Sequence, residues 1–377
     1  MKNYWIMKIA ILTLPLHTNY GGILQAYALQ TVLERMGYEV EHLQPEVTYP
    51  PLHPAWQMPL VWGKRLIRKY LGGDSKLPIF EHPHRWVRKN TDKFIAENIR
   101  CRYLKPEDWD ETLADEYDAF VVGSDQVWRP CMSNHIERYL TAFLRMSNTQ
   151  RIAFSASFGV DYDEYSDEER AMARSLMPKF NAVSVREESG IKLCREIFGI
   201  DAVCTLDPTM LLTSEDYDNL SDKAPLSSGN LMTYILDESQ RTDEIIDNVA
   251  KEFGLTPFRV NSKVEQGDNE PKLSNKQQPP VENWLRGFRD AEYVITDSFH
   301  ACVFSIIYNK PFLCIGNGFR GMARFNTLLG QFGLMDRLVS IDSDHIPSSN
   351  IDWMKVNAIL EEKRSESLGF LRQALGN

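Results

Sequence analysis

The chain has 377 residues, enough for two domains with sizeable cores. Apolar residues make up 43%, charged residues 25% and aromatic residues 11%, which excludes a disordered, collagen-like or disulfide-stapled chain. Forty-two Lys and Arg against 52 Asp and Glu leave a formal charge of -10. That balance argues against non-specific nucleic-acid binding and requires any anionic substrate to be held in a locally basic pocket.

The first apolar run, Lys8 to Leu14, reads as a strand rather than a signal peptide, because it is short and no small-residue cleavage site follows. A helix is predicted over Ile23 to Met36, with Leu24, Ala28 and Val32 on one stripe and Gly37 at its end. A second strand is expected at Tyr38 to Leu43. Residues 45–105, rich in Pro, His, Trp and basic side chains, read as an irregular insertion. Within it, Met58 to Tyr70 interleaves aromatic, aliphatic and basic residues. That suits either a peripheral membrane contact or a packed surface helix with snorkelling Lys64, Arg65, Arg68 and Lys69.

Strands are next expected at Ala119 to Val122, Arg151 to Ser155 and Ala182 to Val185, with helices over Asp167 to Met177 and Glu188 to Phe198. Asp207 to Leu212 closes this half, and the polar run Thr213 to Asn230 reads as a linker. A second unit follows. It has strands at Leu231 to Leu236, Pro257 to Val260, Tyr293 to Thr296 and Phe312 to Ile315. Its helices are expected over Thr242 to Phe253, Val281 to Ala291, Ala301 to Tyr308 and near the C-terminus. Strands alternating with helices imply α/β domains with mainly parallel sheets, here 1–212 and 213–377, flanking a cleft. Ligands of such sheets lie outside the carboxyl ends of the strands.

Four segments at those strand ends can carry chemistry. After the first strand, Asn19, Tyr20, Gly21 and Gly22 match no dinucleotide or Walker fingerprint; the glycines admit either a ligand near a helix N-terminus or simply a tight turn. In FVVGSDQVWRP, Asp125 suits a base or a sugar-hydroxyl partner, Gln126 a second polar contact and Trp128 an aromatic platform. Ser124 and Asp125 serve equally as helix caps. Arg186, at a strand end, can present its donor fork to a carboxylate or phosphate, or pair with Glu187, Glu188 or another carboxylate. In TDSFH, His300 stands at a strand-to-helix turn and is the natural general acid, against a structural histidine as the alternative. Arg320 and Arg324 in the following Gly-rich stretch are the basic spot that the net charge requires. G-x-S-x-G, H-E-x-x-H and a post-strand D-x-D are all absent, and Asp161-Tyr-Asp163 lies in an acidic run, so metal-dependent sugar-nucleotide chemistry is disfavoured. His82 and His84 read as loop residues. Six singly spread cysteines and no run of roughly 18 apolar residues fit a reduced cytosol.

Six segments in register, NYGGILQAYALQ, GSDQVW, SVREESG, LDPTMLL, TDSFHACVFSIIYNKPF and RGMARFNTLLGQFGL, resemble the polysaccharide pyruvyl transferase family. The resemblance implies a GT-B-like fold of two Rossmann-like domains. It also implies transfer of a pyruvyl group from phosphoenolpyruvate to a sugar of a surface or capsular polysaccharide precursor as a ketal, without metal or nucleotide cofactor. It further implies a cytoplasmic enzyme, at the inner face of the membrane where its acceptor is lipid-linked, whose partners are phosphoenolpyruvate and a glycan or lipid-linked glycan. On this reading His300 is the acid, Asp125 or Asp297 accepts a hydroxyl proton, and Arg186 with Arg320 or Arg324 clamps the donor. Where many members carry an arginine two residues before the histidine, this chain has Ser298. Either the clamp is completed elsewhere or the donor differs. A GT-B-like glycosyltransferase using a sugar nucleotide and a non-catalytic glycan-assembly protein are the competing expectations.

Overall fold

The computed structural model describes residues 6–47, 83–133, 135–262, 277–316 and 321–376, with isolated positions 59, 63 and 67. The Met58 to Tyr70 segment, His82 and Arg320 therefore lie outside the described residues, single positions aside.

The first sheet has seven strands: β1 (Lys8–Leu12), β2 (Glu39–Pro45), β3 (Cys101–Leu104), β4 (Ala119–Val122), β5 (Gln150–Ala156), β6 (Ala182–Val185) and β7 (Val203–Cys204). Its order is β3-β2-β1-β4-β5-β6-β7, with every neighbouring pair parallel. This is the doubly wound order, in which direction reverses between β1 and β4. Helix α1 (Tyr20–Arg35) follows β1, and α2 (Pro83–Asn98) precedes β3. On the far side, α3 (Asp167–Leu176) and α4 (Glu188–Leu193) link β5, β6 and β7, the latter running into a π-turn over Cys194–Phe198.

The second sheet contains β8 (Leu231–Tyr234), β9 (Pro257–Arg259), β10 (Tyr293–Thr296), β11 (Phe312–Gly316) and β12 (Leu338–Ser340), in the order β12-β11-β10-β8-β9 and again all parallel. Here the reversal falls between β8 and β10, the flavodoxin-like arrangement. Its helices are α5 (Ser214–Ser221), α6 (Gln240–Phe253), α7 (Val281–Asp290), α8 (Phe299–Ile307), α9 (Ala323–Phe332) and α10 (Trp353–Leu375). The central strands β4, β8 and β10 are buried at every position, as expected for strands covered on both faces.

Several expectations change. The second half of the 45–105 segment is regular, since α2 and β3 occupy it; the polar composition of α2 hides a narrow stripe in which Phe94 and Ile95 are buried. The polar run after Leu212 holds α5, started by a capping box between Thr213 and Asp216. Helix α1 begins at Tyr20 because Asn19 caps it, which places Gly21 and Gly22 inside its first turn. Helix α8 begins at Phe299, so His300 belongs to its first turn rather than to the loop before it.

One continuous cluster of buried apolar side chains runs through both halves, with Tyr20 of α1 stacked on Trp284 of α7 at 5.7 Å between ring centroids. Helix α10 returns to the first half, where Arg364 donates to the Met210 and Leu212 carbonyls and Ser367 Oγ accepts from Leu206 N–H. The halves thus share a hydrophobic seam beneath the cleft rather than meeting only through a linker.

Candidate active site

Loops leaving the strands on either side of a reversal diverge and leave a crevice. The loops after β1 and β4 in one half face those after β8 and β10 in the other across a cleft of about 400 Å3. Asn19, Asp125, Gln126, Arg129, His300 and Arg324 are among its lining residues.

His300 projects from the second half into the first. Its seat is Gly21: a Cβ there would lie 2.1 Å from His300 Nδ1, so only glycine lets the ring rest on α1. His300 Nε2 is buried and stands 3.5 Å from Asp207 Oδ2. Asp207 follows β7 and is itself fully enclosed, its side chain 1% exposed. Its Oδ2 accepts from Arg186 Nη1 at 2.8 Å and from Ser124 Oγ at 3.3 Å, and its Oδ1 accepts from Thr209 N–H at 3.0 Å and Thr209 Oγ1 at 2.7 Å. Burial opposes ionisation of Asp207, but the proximity of His300 and the charge and hydrogen bond of Arg186 outweigh it and hold the carboxyl far below the usual carboxylate range.

Arg186 also donates from Nη2 to Asp125 Oδ1 at 3.3 Å. Asp125 adopts a left-handed backbone conformation, φ +69°, that turns it into the cleft. Its carboxyl too is kept ionised: Arg186, His300 and Arg324 overcome the effect of burial. Behind the cleft wall, charges therefore alternate from Asp125 through Arg186 to Asp207, which faces His300. The Arg186 and Arg324 guanidiniums lie 4.6 and 5.5 Å from the Phe299 ring centroid. Burial, then the like charge of Arg186, brings Arg324 down to about 10. An anion entering the cleft would offset both effects.

The structure relocates several residues expected to meet substrate. Arg186 is not in the cleft lining; it is spent on Asp125 and Asp207, while Glu187 turns instead to Ser157 Oγ and the Phe158 and Gly159 N–H groups. Trp128 is no sugar platform: it is wholly buried, meets Phe198 edge-on at 5.1 Å and donates Nε1–H to the Tyr139 carbonyl. Tyr20 is buried in the interdomain seam and donates its hydroxyl to the Pro279 carbonyl. Ser124 is enclosed, with Oγ directed at Ser155 O and Asp207. Asp297 reaches the cleft, yet its Oδ1 and Oδ2 each accept a 2.8 Å hydrogen bond from the backbone N–H groups of Leu236 and Asp237, so it holds the loop after β8. Ser298 lines the cleft and starts α8 without a side-chain cap, at the helix end whose N–H groups have no partner within the helix. Gly22 packs near Asp125 at the cap of α1.

Two residues escaped the sequence reading. Asp207, in Leu-Asp-Pro-Thr, has the pattern of an ordinary cap and does cap the following turn. Arg129 adjoins the segment already singled out; it lines the cleft and is held by Glu164 and Gln126 Oε1. Among the described residues, no group of three or more His, Cys, Asp or Glu side chains is placed to hold a metal ion. Among them too, no helix is long and apolar enough to cross a membrane.

Two all-parallel Rossmann-like domains with a cleft at facing switch points define a GT-B-like protein. The whole chain superposes on UDP-GlcNAc 2-epimerase from Neisseria meningitidis bound to UDP-GlcNAc, with a TM-score of 0.52, 10% identity, and 98% of this chain and 99% of that one covered. It superposes likewise on UGT89C1 of Arabidopsis thaliana complexed with UDP-L-rhamnose, with a TM-score of 0.50, 7% identity and 97% of each chain covered. Identities this low speak for the fold alone. Residues 19–318 match the model of the polysaccharide pyruvyl transferase family, and the chain belongs to that family. No match was found among curated proteins.

Proposed function

We propose that the protein transfers the pyruvyl group of phosphoenolpyruvate to two hydroxyls of a sugar in a surface-polysaccharide precursor, releasing phosphate and forming a pyruvate ketal. The observation that supports this most is the placement of His300, backed by buried Asp207, beside Arg324 at the uncapped start of α8. Arg324, Arg129 and the first N–H groups of α8 provide the local basic surface an acidic protein needs for a multiply charged donor.

The donor's methylene carbon takes a proton from His300, its π electrons forming the new C–H bond. The adjacent carbon becomes electron-deficient and is attacked by one sugar hydroxyl, whose proton passes to Asp125. The C–O bond to phosphate then breaks with its electrons on phosphate, and the second hydroxyl closes the ring. Of the two hydroxyl protons, one replaces that spent on the methyl group and the other leaves with phosphate. Arg324 and Arg129 stabilise the departing charge. No step calls for a metal or redox cofactor. Arg186 and Asp297 are assigned as positioning residues, one for Asp125 and Asp207, the other for the loop after β8.

Incubation with phosphoenolpyruvate and glycan precursors tests the reading. Phosphate release with a ketal on the sugar is the expected result. Thermal protection by a nucleoside diphosphate and none by phosphoenolpyruvate would replace the donor with a sugar nucleotide, the reading to which Ser298 in the usual arginine position would then belong.

A further inference from the structure

Either ring nitrogen of His300 can carry the proton that an acid gives up, and the enclosure of Asp207 bears on which one does. A neutral imidazole carries one N–H, and the hydrogen bond made by one nitrogen decides what the other can do. His300 lines the cleft; its Nε2 is buried, 3.5 Å from Asp207 Oδ2, whereas its Nδ1 lies against Gly21 in the first turn of α1. Asp207 cannot turn away: Arg186 and Ser124 hold one oxygen and Thr209 holds the other through two hydrogen bonds. The other charged groups around His300 are Asp125 from the loop after β4, Arg186 from that after β6, which shares Asp207 with the ring, and Arg324 from α9, which with Arg186 lies over the neighbouring Phe299. Of the two carboxylates, only Asp207 lies within ion-pair distance of the ring.

We propose that Asp207 is the positioning residue of His300: from the opposite domain it holds the Nε2–H edge, so that Nδ1 is the nitrogen that exchanges protons with the substrate. The inference rests on the proposed role of His300. In the protonation step the Nδ1–H bond breaks, its electrons stay on nitrogen, and the proton joins the donor's methylene carbon. The imidazole left behind is neutral and keeps its remaining proton on Nε2, facing Asp207. The 3.5 Å separation is longer than a good hydrogen bond, and shortening on substrate binding is usual for catalytic pairs.

Nitrogen-15 spectra of the histidine-labelled full chain test this without substrate. The His300 signals are identified by their loss in His300→Gln. In the neutral ring the expected form is the Nε2–H tautomer, giving way to a mixture in Asp207→Asn. In that variant kcat should fall by about 100-fold or more while KM changes by less than about threefold. A wild-type Nδ1–H tautomer, or an identical tautomer in wild type and Asp207→Asn, overturns the proposal. Should Asp207→Asn fail to fold, the wild-type spectrum still decides. Thr209→Val, which removes one hydroxyl donor to Asp207, then supplies the milder variant, expected to shift tautomer populations in the same direction. The Nε2–H tautomer together with no turnover of phosphoenolpyruvate upholds the pairing and overturns the donor assignment.

Discussion

The first domain lends the cleft a wall of ionised groups locked to one another: Asp125 and Asp207 on Arg186, with Ser124 and Thr209 filling the remaining lone pairs. The second lends a histidine on the first turn of a helix, an arginine on the next helix and a loop pinned by Asp297. The first side is cross-linked within itself even where Asp125 and Arg129 reach the cleft, and the second turns outward by sending His300 across to it. His300 belongs to one domain and Asp207, 3.5 Å from it, to the other, so the register of the domains along their apolar seam sets the geometry of the pair.

The contrast can be broken on the locked side with the largest effect. Arg186→Ala leaves two enclosed carboxylates without the cation that hydrogen-bonds both, and a loss of about 3–5 kcal/mol is expected by urea unfolding. A loss under about 1 kcal/mol would mean that the wall is not a unit. Next comes the seam between domains. In Gly21→Ala the new methyl must displace His300, so kcat should drop by about 100-fold. Alanine is otherwise the better helix residue by up to about 1 kcal/mol, so any loss of stability must come from that collision. Added to His300→Gly, which removes ring and Cβ alike, Gly21→Ala should cost far less stability than it does in the wild type, and an equal cost would remove the collision as the cause.

On the outward side, Asp297→Ala deprives two backbone N–H groups of their acceptor. The expected cost is about 2 kcal/mol, with a weaker KM for the donor as the loop after β8 loosens. An unchanged melting temperature would contradict its assignment as a holding residue. The smallest effect lies far from the cleft. Burial lowers the His42 pKa from 6.5 to about 4, so the unfolded chain takes up the proton first. Its contribution is intact above pH 6.5 and is lost as pH falls toward 4. One unit below 6.5 the loss is about 1 kcal/mol, and His42→Gln should flatten that slope. Asp125 and Asp207, held below 3.8, stay charged through that window and weaken the fold only under more acidic conditions.

Much of the architecture is legible in the sequence because β4, β6 and β10 are apolar runs that end in small or polar residues, a local signal. The approach of Asp125, His300 and Arg324 is legible for the same reason, since strand ends deliver site residues. What escapes is non-local. The need for glycine at 21 is imposed by a side chain nearly 280 positions away, and nothing near Gly21 signals it. Arg186 and Trp128 look like ligand-facing residues until the structure shows two carboxylates and a phenylalanine already in contact with them. Asp207 hides behind its own capping role. Helix α2 hides because its buried stripe is narrow and its remaining faces are charged.

Conversion of phosphoenolpyruvate and a glycan acceptor in deuterated water tests the central claim most directly, because protonation of the methylene carbon must leave a solvent atom in the product. The account predicts one solvent deuterium in the methyl group of the ketal with wild-type protein and no ketal with His300→Gln. A ketal formed at the wild-type rate by His300→Gln, or phosphate released without any ketal, would contradict it.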